Sequence, residues 1–118
     1  MASIQKKSLD APDETRRFSK GQLNLVHVGY VTVGRQTLEP GWKWSECVKP
    51  LVGTASCQVS HTGYMVSGRM RIRMDDGSEQ EFGPHDAFVV SPGHDAWVVG
   101  TEQAIVLDFS GAAQFGKQ

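Results

Sequence analysis

The chain is short of most features that announce a function. It has two cysteines, Cys47 and Cys57, in 118 residues, too few for a disulfide framework. Reduced thiols and a cytoplasmic location are therefore expected, although the ten-residue spacing leaves a bridge between the two open. Neither sign of charge is in excess: twelve basic residues against thirteen acidic give a formal −1. That balance implies neither nucleic acid nor an anionic membrane as partner. The opening stretch, MASIQKKSLDAP, lacks the apolar core of a secretory signal, and no later run is long enough to span a bilayer. A sustained helical period is missing as well.

What the chain does have is short apolar runs broken by thirteen glycines and five prolines. Residues 1–20 are polar and charged and read as a flexible or docking arm ahead of one domain over 21–118. From Leu23, LNLVHVGYVTVGRQTL reads as two strands with Gly29 and Gly34 as bends. EPGWKWSECVKPLVGT is a long connection with two tryptophans and two prolines. ASCQVSH and YMVSG follow as strands broken at Gly63. In RMRIRM the arginines 69, 71 and 73 alternate with Met70, Ile72 and Met74, the pattern of a half-buried strand. Asp75-Asp76-Gly77 is a hairpin turn signal, and SEQEF is its return strand. AFVVS, AWVVG and AIVLDF are three further short strands. The expectation is an all-β, single-domain antiparallel sandwich or barrel.

The chemistry-bearing stretch is CQVSHTGYMVSG, residues 57–68. On a regular strand Cys57 and His61 share one face with Ala55 and Val59. They read as metal ligands, as a nucleophile with its base, or as two packed core residues; a free cysteine packs as a small hydrophobe. The nucleophile reading needs a group to orient the imidazole, and the sequence offers no evident one. His85 reads as a surface turn residue and His27 as a partly buried strand histidine. Trp42, Trp44 and Trp97, with Tyr64, line a ligand pocket in one reading and pack against the barrel or a second subunit in the other.

The order of Pro40-Gly41, the Cys/His strand, YMVSG, MDDG and GPHDAFVVSPG resembles the cupin superfamily of small jelly-roll barrels, over roughly Leu38 to Phe109. With Gly68 as the closing glycine of the first cupin motif, His61 takes the glutamate position, and Ala55 and Cys57 take the two histidine positions. With Asp86 and Gly93 as anchors of the second motif, its leading glycine falls on His85, its histidine on Ala96 and its asparagine on Gly100. The four ligand positions thus read Ala, Cys, His, Ala. His94, two residues before Ala96, shares its face on a strand. The resemblance implies an interior cavity, and Cys57, His61 and His94 would make a three-ligand site with an open position. Thiolate plus imidazole favours zinc, then iron or another transition metal. A small-molecule-binding barrel, a homodimer, is the expectation. A metal-dependent enzyme of isomerase, oxygenase or hydrolase type, and a metal-free interaction module, are the alternatives.

Overall fold

The computed structural model describes residues 3–112 and 115; residues 1 and 2 of the expected arm, and 113, 114 and 116–118 of the expected barrel domain, lie outside the described residues. Nine strands follow in order, β1 Glu14–Phe18, β2 Gly21–Val28, β3 Val31–Leu38, β4 His61–Ser67, β5 Met70–Met74, β6 Glu79–Phe82, β7 Ala87–Val90, β8 His94–Val98 and β9 Ala104–Asp108. Two single-turn helices, α1 Trp44–Cys47 and α2 Lys49–Val52, fill the connection between β3 and β4. The strands form a six-stranded sheet, β1-β2-β3-β9-β4-β7, and a three-stranded sheet, β6-β5-β8, and every pairing is antiparallel. The fold is the expected all-β jelly roll. Among the described residues no helix is long and apolar enough to cross a membrane.

Period-two alternation explains the core. Met70 and Ile72 of β5, His94, Ala96 and Val98 of β8, and Ala104, Val106 and Asp108 of β9 all turn inward. They meet Leu38 and Met65 between the sheets. Two of the arginines on the other face of RMRIRM pair along the hairpin, Arg71 with Glu79 at 2.6 Å and Arg69 with Glu81. The hairpin turn closes at Gly77, φ 93°, and His85 has φ 78°, both in the left-handed region a turn requires.

Four readings need correction. The first strand begins at Glu14, not near Leu23: residues 14–18 pair in register with 25–21 as an edge strand. Edge strands carry charge freely, so a polar stretch did not look like one. Just ahead of β1, Leu9 and Asp10 are tied to β3, Arg35 donating to the Asp10 carboxylate and to the Leu9 carbonyl. β4 runs unbroken through Gly63, where a Cβ would stand 2.3 Å from the Leu107 carbonyl; the glycine permits close approach of β9 and ends nothing. Residues 55–60 are not a regular strand: Cys57 makes a single bridge to His94 before β4 starts at His61. His27 is exposed and bonds Thr32.

Candidate functional site

Three segments converge inside the barrel. Cys57 is clipped to β8 by backbone bonds in both directions, its N–H donating to the His94 carbonyl at 2.7 Å and its carbonyl accepting from the Gly93 and His94 amides. Ser56, next in the chain, donates its hydroxyl to Asp75 at 2.9 Å, which fixes the segment from the far side. His61 opens β4 opposite Val90 of β7. One ligand atom from each of Cys57, His61 and His94 lies within 4.8 Å of the others, and all three residues are buried. The three residues singled out in the sequence thus come together, and His94 turns inward together with Ala96.

The outward nitrogen of each imidazole is already engaged. His61 Nδ1 meets Asp108 Oδ2 at 2.5 Å, and the other Asp108 oxygen accepts from the Ser110 and Gly111 amides. His94 Nδ1 donates to the Ser91 carbonyl at 2.9 Å, because a carbonyl can only accept. Both Nε2 atoms are thereby left for the interior, and that of His61 stands 3.8 Å from Cys57 Sγ. The two rings meet edge to face with centroids 5.3 Å apart.

Electrostatics follow from this wiring. Burial pushes the Cys57 thiol up, but its hydrogen bonds with His61 and His94 outweigh that and bring it down to about 6. Burial disfavours the charged His61 ring, yet Asp108 and then Cys57 raise it to about 9. Burial likewise opposes ionisation of Asp108, and the bonds from His61, Ser110 and Gly111 hold its carboxyl below the usual range. All three shifts run toward the charged forms, a thiolate, an imidazolium and a carboxylate.

A chamber of about 50 Å³ adjoins the histidines, with Gln36, Trp42 and Trp44 among its walls. Lys43 is extended (φ −143°, ψ 129°), so Trp42 and Trp44 fall on one side, and each is only 2% exposed. The buried Nε1–H of Trp42 has no acceptor among the described residues. The other two aromatic candidates stand elsewhere. Tyr64 alternates with the inward Gly63 and Met65, and its hydroxyl bonds His85 on the outer surface at 2.9 Å. Trp97 faces outward from β8 under the Lys43 ammonium, 5.3 Å from its ring centre. Neither lines the chamber. Asp108, Gln36 and Phe115 belong to the site and were not found in the sequence. Cys47 and Cys57 are both free thiols.

Neither the family models nor the curated proteins contain a match to this sequence. Solved structures do match in shape. An RmlC-like cupin from Shewanella frigidimarina superposes with a TM-score of 0.64 at 17% identity, over 95% of each chain. A sugar phosphate isomerase of the cupin superfamily from Silicibacter pomeroyi gives 0.64 at 18%, over 91% of this chain and 75% of that one. The formate complex of an oxalate decarboxylase from Lactobacillus farciminis gives 0.62 at 14%, over 86% of this chain. This chain spans 32% of that enzyme's length. At these identities the likeness is one of architecture, and the fold of this chain is the cupin barrel.

Proposed function

We propose that the barrel binds a divalent metal, zinc before iron, through Cys57 Sγ, His61 Nε2 and His94 Nε2, and holds a small polar molecule in the adjoining chamber. The observation that carries this reading is that both histidines have their far nitrogen tied to an oxygen, Asp108 Oδ2 and the Ser91 carbonyl. Metal-ligating histidines need that outer partner to fix ring and tautomer. A tetrahedral zinc with ordinary Zn–S and Zn–N lengths separates sulfur from nitrogen by about 3.6 Å; the present 3.8 Å needs little adjustment. Three protein ligands leave the fourth position open, and a zinc there would supply a Lewis acid to an oxygen of the bound molecule.

The remaining residues favour holding a molecule over transforming it. Of the described chamber residues, His61, His94 and Asp108 are the titratable ones, and all three are engaged in the ligand set and its support. Gln36 and Trp42 offer hydrogen bonds without proton transfer. At about 50 Å³ the chamber admits roughly three to five non-hydrogen atoms. Formate, bound by the oxalate decarboxylase of the same fold, is of that size. Decarboxylase and isomerase activity in neighbours of this shape does not transfer with the fold.

Cys57, His61 and Asp108 also form a line of nucleophile, base and orienter, which supports a second reading as a thiol nucleophile site. That reading leaves the carbonyl-oriented His94 without a task, so it ranks below the metal. Elemental analysis of protein purified without a histidine tag separates the two. About one zinc per chain is expected, falling severalfold in Cys57→Ser and in His94→Ala. Less than about a tenth of a metal per chain after incubation with zinc or iron(II) overturns the metal reading and moves Cys57–His61–Asp108 to first place.

A further inference from the structure

Between the exposed edges of β6 and β7 runs a groove of about 360 Å³, far larger than the chamber. Groove and chamber share three walls, Ile72, Phe82 and Val90. The three residues border both spaces, and Phe82 is stacked on Phe88, itself a chamber residue, at 4.7 Å. We infer that the groove is the tail subsite of the same ligand, and that the ligand is a monocarboxylate with an uncharged, apolar tail; this rests on the metal reading above.

The chamber selects the head. An open metal position and the acceptorless N–H of Trp42 both seek oxygen lone pairs, and a carboxylate offers one oxygen to each. Asp108 also borders the chamber, but its oxygens already accept from His61, Ser110 and Gly111, so it is not left facing the ligand unpaired. The groove selects the tail. Ile72, Met74, Phe82, Val89 and Val90 give it an apolar side, Ser78, Gln80 and Ser91 add uncharged polar groups, and its one carboxylate, Glu79, is paired with Arg71 at 2.6 Å. A charged tail finds no partner there, whereas methylene groups leaving water along that surface gain affinity.

Isothermal titration of the zinc-loaded protein with acetate, butyrate, hexanoate and hexylamine tests this. Affinity is expected to rise about two- to fourfold per methylene along the acids, with hexylamine at least tenfold weaker than hexanoate. Val89 is 74% exposed, so Val89→Asp leaves the fold intact; it should flatten the chain-length trend and leave acetate unchanged. Trp42→Phe should weaken all three acids by a similar factor, with far-UV circular dichroism as the check on folding. Equal affinities along the acids, with one zinc still bound per chain, overturn the tail subsite alone. Hexylamine binding as tightly as hexanoate overturns the carboxylate head. A chain that takes up no zinc overturns this inference together with the reading beneath it.

Discussion

Asp108 divides its two oxygens between the turn that follows β9 and the imidazole of His61. An asparagine there offers one acceptor oxygen where the aspartate offers two, so either the turn or His61 loses its partner. Asp108→Asn is expected to lower zinc affinity about ten- to a hundredfold while the fold is kept. Competition with a chromophoric chelator measures this, and an unchanged affinity would remove Asp108 from the support of the site. The same residue shows what a sequence can and cannot disclose. Cys57, His61 and His94 were legible because a four-residue spacing and the cupin frame put them on inward positions. Asp108 ends β9, next to last in AIVLDF and 47 residues from His61, and an acid at a strand end looks like any solvated terminus. Its role depends on β9 pairing with β4, which local pattern does not encode. Tyr64 and Trp97 erred for the opposite reason: aromatic character suggested a pocket, while alternation along β4 and β8 had already turned both outward.

Beyond β9 the described residues 109–112 and 115 bring a turn back beside His61. Arg16 of β1 clamps it, donating to the carbonyls of Ala112 at 3.3 Å and Phe115 at 2.8 Å. Phe115 packs between His61 and Phe18, with ring centres at 5.6 and 5.9 Å. The strand hidden in the polar N-terminal stretch therefore supports the floor of the site, which no reading of an arm foresaw. Gly111 is the tightest point of this closure. A Cβ there would meet the Ser60 carbonyl at 2.3 Å and His61 Nδ1 at 2.9 Å, and a backbone carbonyl cannot swing aside. Gly111→Ala is expected to cost about 1–3 kcal/mol in urea unfolding, the usual range for overpacking. Gly83 is the control: its Cβ would find the nearest atom at 4.0 Å, so Gly83→Ala should stay within about 0.5 kcal/mol of the parent. Equal midpoints for the two variants would show that the turn does not press on His61.

Across the whole molecule, the site joins both sheets. Cys57 and His94 are bound to the three-stranded sheet through their mutual bridge and β8, while His61 and Asp108 stand on β4 and β9 of the six-stranded one. Ionisation at the site is therefore written into global stability. In metal-free protein, His61 is raised from 6.5 to about 9, so its contribution is complete below pH 6.5 and is lost as pH climbs to about 9. Cys57 is lowered from 9.0 to about 6, so its contribution is complete above pH 9 and is lost as pH falls to about 6. Between about 6.5 and 9 the folded state holds one proton more than the unfolded chain at His61 and one fewer at Cys57. The two slopes cancel, and this site adds no pH dependence to stability in that window. Cys57→Ser removes the rising slope and leaves His61 held by Asp108 alone. Relative to the parent, stability of the metal-free variant should then fall with rising pH from about 6.5, by up to about 1.4 kcal/mol per unit while the ring stays protonated. Urea midpoints of both chains at half-unit steps from pH 6 to 9, with chelator present, measure the difference. Parallel curves would mean that thiolate and imidazolium do not coexist in the folded barrel, and that without the metal the pair stands as neutral thiol and neutral ring.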